Sequence, residues 1–371
     1  MPQARHPCAR QGSHTPEDFF VDRVRVGIIG AGRIAGTHVR GYKLLPYVDI
    51  VAAADVVPGK AAEALKLWDL PEAHAYTDFH EMLKKERLDA VSICTFNQAH
   101  REPTVAALEY GLNVLLEKPI AATLEDARAI VKASEKAKGI LMMAIQPRFG
   151  PMLMTAKKIV DAGTLGNVYY GEAVMTRRWG VPGGTFLRKD MAGFGALVDI
   201  GIYALDEALV MMSHPKPVSV TAMMTDVLSK SFRGVAKGWG GAWKAEDMQV
   251  EEFASAYIRF DNGAVLVFKT SWAANIDSMG RPFFLGTKAG LALNPLELYL
   301  NPVEGVGVTG TVPAIRQIDE QAEKMRAFSE AVRDGKPSPV DVKEVWLTNV
   351  IMDGIARSAA IGREVSVDAA I

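Results

Sequence analysis

Cysteine is nearly absent, with only Cys8 and Cys94 in 371 residues. That excludes a disulfide framework and any cysteine-built zinc site, and it points to a reducing, cytoplasmic compartment. The seven histidines fall at no metal-ligand spacing, so no metal is expected. An excess of one charge is lacking as well. Forty-two basic and 43 acidic side chains leave a net charge of −1, too little to draw nucleic acid or an anionic membrane. No apolar run approaches the ~20 residues that span a bilayer. Residues 1–22 carry no apolar h-region and do not read as a secretory signal. A disordered tail is expected there, with an arm onto a neighbouring subunit as the alternative. The remainder is ordinary for a globular protein, at 49% hydrophobic and 23% charged, and long enough for two cores.

From residue 24 to about 144, short apolar runs alternate with helical stretches. Strands are expected at 24–29, 50–54, 90–94, 114–116 and 140–144, with helices at 35–45, 59–67, 78–85, 101–110 and 124–136. That alternation predicts a parallel, doubly wound α/β sheet. Thr123, three residues before Asp126, marks the start of the last of these helices. Past Phe149 the texture changes. Helices are expected at 152–162 and 203–212, and long β-type runs at 168–175, 218–225, 252–260 and 264–272. Asp261-Asn262-Gly263 is a hairpin signal between the last two. Runs of this kind predict a large, open, mostly antiparallel sheet, followed by helices at 316–333 and 342–361. The domains are placed at 23–146 and 147–371.

Three motifs carry chemistry. The turn Gly30-Ala31-Gly32-Arg33-Ile34-Ala35 follows the strand VRVGII, and Asp55 ends the next strand 20 residues after Ala35. Gly30 permits the tight turn and Gly32 lets a pyrophosphate approach the helix N-terminus. Asp55 would accept from the adenosine ribose hydroxyls and repel a 2′-phosphate, favouring NAD over NADP. The second motif, Glu117-Lys118-Pro119, ends a later strand of the same sheet, so Lys118 would stand in the ligand crevice and donate to a reacting oxygen. Alternatively it is a solvated charge pair at a strand end. In the third, GFGALVDIGIY, Asp199 and Tyr203 lie four apart and share one helical face. They serve either as a cap and a core tyrosine, or as a hydroxyl-orienting carboxylate and a proton-relaying phenol. Hydride chemistry at a hydroxyl or carbonyl carbon is what the three together suggest.

In order and spacing, these motifs resemble the glucose-fructose oxidoreductase / inositol dehydrogenase (Gfo/Idh/MocA) family from about Val24 onward. The segments VSICTFNQAH, NVLLEKPIA, GALVDIGIYALD, IRFDNGAVLVFKTSWA, AFSEAVRDGKP and GREVSV carry the likeness. The resemblance implies an N-terminal Rossmann domain and a C-terminal domain whose open sheet makes homodimers or homotetramers. It implies Lys118 as catalytic lysine and Asp199 as substrate-contacting aspartate, with Tyr203 replacing the commoner histidine.

The expected activity is NAD-dependent hydride transfer at a carbinol carbon of a sugar or sugar-like polyol. One alternative is a redox-assisted glycosidase, which oxidises C3 transiently, eliminates the aglycone and returns the hydride. Another is a nucleotide-sensing regulator. Thr95, Asn97 and His100 follow the strand at 90–94 and would contact nicotinamide or its ribose, with helix capping as the other reading of Asn97 and His100. Arg148, Arg177, Arg178, Arg188 and Lys189 suit an anionic or polyhydroxylated sugar, or form a solvated or intersubunit cluster. Trp179 stands among them. Trp239 and Trp243, in KGWGGAW, would stack on a sugar ring or pack in a core or interface.

Overall fold

The computed structural model describes residues 23–312 and 316–371. Residues 1–22, with Cys8 and the expected tail or arm, lie outside them.

Six strands form the first sheet: β1 (Val24–Ile29), β2 (Val48–Ala54), β3 (His74–Tyr76), β4 (Ala90–Ile93), β5 (Asn113–Glu117) and β6 (Leu141–Ala144). Their order is β3-β2-β1-β4-β5-β6, all parallel. The central strands are buried on both faces, which is why they read as unbroken apolar runs. Helices α1 (Arg33–Lys43), α2 (Lys60–Leu67), α3 (Phe79–Lys85), α4 (Arg101–Glu109) and α5 (Leu124–Lys136) connect them. Thr123 caps α5, its hydroxyl accepting the Asp126 amide at 3.1 Å. Strand β3 was not expected, because it has three residues and faces solvent. The order reverses between β1 and β4, and a ligand crevice opens there at the carboxyl ends of the strands.

The second half contains α6 (Pro151–Asp161), β7 (Val168–Thr176), α7 (Lys189–Ala192), α8 (Ile202–Met211), β8 (Pro217–Thr225), α9 (Val227–Ser231), and the ribbon of β9 (Ala236–Gly238) and β10 (Gly241–Trp243). Then come β11 (Phe253–Phe260), β12 (Val265–Ser271), β13 (Phe283–Gly286), β14 (Ala289–Ala292), β15 (Glu297–Val303), β16 (Val306–Thr311), α10 (Glu320–Arg333), α11 (Val342–Ile361) and β17 (Val365–Ser366). Nine of these strands form one sheet, β16-β15-β14-β13-β7-β12-β11-β8-β17, antiparallel except where β7 meets β12. Ala256, Ile258, Leu266 and Phe268 are buried on the face that α8 and α11 cover, while Tyr257 and Val267 alternate onto the open face. Gly263 closes the β11–β12 hairpin at φ 83°, its amide donating to Phe260 O at 3.0 Å.

Helix α10 starts four residues later than expected. Asp319 caps it, accepting the amides of Gln321 and Ala322. It then packs on α1 of the other sheet. Gly41 permits that approach, since a Cβ there would lie 2.6 Å from Met325 Cγ.

Candidate active site

A cleft of about 930 Å³ runs from the end of β2 to the start of α8. At one end, Gly30 turns at φ 91° with no room for a Cβ, which would lie 2.8 Å from the Cys94 backbone. Gly32 faces open space at the N-terminus of α1. Asp55 is buried against this turn. Its Oδ2 accepts the Ala31 amide (2.9 Å) and the Lys60 ammonium (2.9 Å), and its Oδ1 accepts the Val57 amide (3.0 Å). Burial works against the carboxylate, but Lys60 and the two amides hold its pKa below the usual value. Val56, Val57, Thr77, Phe79 and Phe96 add a mostly apolar wall, and Arg33, Ile34 and Gln321 also line the cleft. The Gln321 Oε1 is buried without a partner. An open glycine turn, a ribose-side carboxylate and an unmatched acceptor fit a dinucleotide.

At the other end Lys118, Asp199, Tyr203 and Gln146 line the same cleft. The Lys118–Pro119 peptide is cis. Lys118 Nζ donates to the Asp199 carbonyl at 2.6 Å, lies 3.5 Å from Asp199 Oδ1, and sits 4.9 Å from the Tyr203 ring centre. Burial disfavours the ammonium, yet Tyr203, Asp199 and Glu117 raise its pKa overall. Burial also raises the Tyr203 pKa, with Lys118 and then Gln146 pulling it back in part.

Asp199 lies in a π-turn (Leu197–Gly201) preceding α8, so it is not a simple helix cap. Its Oδ2 accepts the Trp272 indole N–H at 2.9 Å. The turn is braced by Glu251, whose Oε1 accepts the amides of Gly195 (2.8 Å) and Leu197 (3.0 Å). A Cβ on Gly195 would fall 2.0 Å from the Glu251 carbonyl.

Thr95, Asn97 and Glu117 line the middle of the cleft. Thr95 donates to Ala99 O, and Asn97 ties the segment after β4 to α7 by donating to Ala192 O at 2.8 Å. The expectation for His100 is corrected. Its ring is fully buried, with Nδ1 2.9 Å from Pro119 O, and it braces the Lys118 segment without lining the cleft.

The basic cluster disperses. Arg148 is part-buried in an ion pair with Asp206 (2.8 Å), reaches Glu344, and does not line the cleft. Arg178 pairs with Asp277 on the surface and Arg188 with Asp190. Arg177 alone of the five lines the cleft. The two tryptophans of KGWGGAW divide between the two readings. Trp243 is 2% exposed and packs with Phe232 and Trp179 in a satellite core. Neither it nor Trp179 lines the cleft, whereas Trp239 does. Arg33 donates to the Trp239 carbonyl at 2.7 Å and stacks 4.8 Å from its ring centre. Sequence reading missed Gln146, Gln321, Thr185 and Phe186. Gln146 could have been found from its position just past the end of β6.

Residues 24–145 match the family described as "Oxidoreductase family, NAD-binding Rossmann fold", and residues 153–292 match "GFO/IDH/MocA C-terminal domain". The chain belongs to the Gfo/Idh/MocA oxidoreductase family. Over 92% of its length it is 33% identical to D-glucoside 3-dehydrogenase of Escherichia coli K12, spanning 97% of that protein. Levoglucosan dehydrogenase of Pseudarthrobacter phenanthrenivorans is 26% identical over 66% of each chain. A solved levoglucosan dehydrogenase in complex with NADH and L-sorbose shares the fold at a TM-score of 0.78, with 22% identity over 94% of this chain and 99% of that one. As a Gfo/Idh/MocA protein, the chain carries an NAD-binding Rossmann domain at its N-terminal end. The dehydrogenase names of these relatives favour net hydride transfer over the glycosidase alternative. No helix among the described residues is long and apolar enough to cross a membrane.

Proposed function

We propose that this oxidoreductase moves a hydride between nicotinamide and a carbinol carbon of a sugar or sugar-like polyol. The observation that carries the reading is convergence. Lys118, Asp199 and Tyr203 meet at one end of a single cleft whose other end holds the glycine turn and Asp55. Bound NAD would supply the hydride acceptor, held by the turn, Asp55 and the residues along the middle of the cleft.

The rest of the chemistry falls to side chains. Lys118, kept as an ammonium, donates to the substrate oxygen and stabilises its developing negative charge. It is therefore not the base. Tyr203 takes the hydroxyl proton in oxidation and returns it in reduction, its phenolate favoured by the adjacent lysine charge. The Asp199 carboxylate has accepting capacity left beyond Trp272 and Lys118, and it orients a neighbouring hydroxyl. Trp239 and Phe186, 4.5 Å apart between ring centres, wall the cleft beside Arg33 of the nucleotide turn.

The open face of the large sheet carries Tyr170, Met223, Tyr257, Val267, Phe283 and Leu285 among polar neighbours such as Thr221, Glu172 and Lys269, with Tyr257 opposite Val267 and Tyr170 opposite Leu285. A sheet face with these exposed aromatic and aliphatic side chains supports self-association into a homodimer or homotetramer. The scarcity of cysteine supports a cytoplasmic location.

Lys118→Ala tests the reading. Turnover should fall by roughly 10² or more, with NAD affinity kept within a few-fold. A variant with near-normal kcat would make Lys118 structural and the mechanism wrong.

A further inference from the structure

Lys324 on α10 is fully buried and is not among the cleft-lining residues. Its Nζ donates to Glu117 Oε1 at 3.2 Å, across a sequence separation of 207. The same oxygen is 2.8 Å from His38 Nε2, and Glu117 Oε2 accepts the Lys118 amide at 3.2 Å. A buried ammonium is costly unless paired. Here the last third of the chain delivers one beneath the residue next to Lys118.

The proton positions in this cluster follow from its partners. His38 Nδ1 lies 3.6 Å from Cys94 Sγ. Burial keeps that thiol protonated, so it donates to Nδ1 while Nε2–H donates to Glu117. That pattern is a neutral imidazole. Burial first and the Lys324 charge second press His38 toward neutrality, against the pull of Glu117. Tyr42, edge-on to His38, bonds Ser92 and stays a phenol because burial raises its pKa. Lys324, not His38, therefore balances the Glu117 charge.

From this geometry we infer that Lys324 is a positioning residue for the catalytic end: acting through Glu117, it fixes the end of β5 from which Lys118 reaches the substrate. The inference rests on the role given to Lys118 above. With Lys324 present, one Glu117 oxygen is held by His38 and Lys324 while the other holds the Lys118 amide. Without it, Glu117 must find its counter-charge in His38 or in Lys118. Protonation of His38 serves at low pH. Once His38 is neutral, Glu117 competes with Asp199 for the Lys118 ammonium.

Lys324→Met removes the charge at similar length, and two measurements read it. The first is an NMR titration of the imidazoles, with His38 assigned by its absence in His38→Gln. In the unmodified protein His38 should titrate below the ordinary imidazole range, and in the variant its titration should move to higher pH. The second is the turnover ratio of variant to unmodified protein, which should drop about tenfold as pH rises through the variant's His38 titration. Combining Glu117→Gln with Lys324→Met removes both charges; whatever its absolute turnover, its ratio to the unmodified protein should show no such drop with pH. If Lys324→Met does not fold, Lys324→Gln, with a donor but no charge, gives the same readouts. A lower Tm with unchanged His38 titration and unchanged pH profile would make Lys324 a structural staple and overturn the inference. If even the unmodified protein turns over no sugar, the functional reading fails instead, and the His38 titration still decides this point.

Discussion

Tyr203 and Asp55 are the residues at which the mechanism is most exposed to test. Burial pushes the Tyr203 pKa above the ordinary phenol value, so the phenolate needed as base grows only as pH rises. Oxidation should accordingly quicken with pH into the alkaline range. Tyr203→Phe should keep fold and cofactor binding while kcat collapses and the rising limb disappears. An unchanged limb in that variant would pass the proton to a bound water and leave Tyr203 as a wall. At the cofactor end, NAD should bind at least about tenfold tighter than NADP, because a 2′-phosphate would meet the Asp55 carboxylate. Asp55→Ala should narrow that gap, all the more because Lys60, now paired with Asp55, would be released toward the phosphate. Calorimetry finding NADP equal to or tighter than NAD in the unmodified protein would refute the assignment. Motif residues at strand ends were legible in the sequence because topology decides where they point. Arg148 and Trp243 were not, because whether a charge or an indole faces a cleft or a core depends on partners such as Asp206 and Trp179, which are remote in sequence.

Among the elements, the ribbon of β9 and β10 was not expected, and its glycines explain themselves only in three dimensions. A Cβ on Gly238 would lie 2.1 Å from Pro182 O, and one on Gly183 2.4 Å from Gly241 O. Two glycine-containing segments thus pack backbone to backbone and carry Trp239 over the cleft to Arg33 of the nucleotide turn. Nothing in KGWGGAW names Pro182 or Arg33 as the partner. Trp239→Ala should weaken NADH binding several-fold, because Arg33, held at the nucleotide turn by a cation–π contact of about 0.5–1 kcal/mol, would be released. Titration calorimetry would check this. If NADH affinity is untouched while KM for the sugar rises, Trp239 belongs to the substrate alone.

For the molecule as a whole, periodicity announced both sheets. Buried parallel strands read as unbroken apolar runs, and the half-open sheet reads as alternation, as in IRFDNGAVLVF. Short or exposed pieces such as β3 and β16 carry too little apolar signal to be seen. The return of α10 onto α1, which brings Lys324 beneath Glu117, is a long-range contact that no local pattern encodes. The central claim is that this assembly performs net hydride transfer on a sugar hydroxyl. The most direct test incubates the protein with NAD and a panel of sugars, polyols and glycosides, following NADH absorbance and aglycone release in the same samples. NADH should form in step with oxidised sugar, with no aglycone freed ahead of it. Aglycone release without net NADH would contradict the claim.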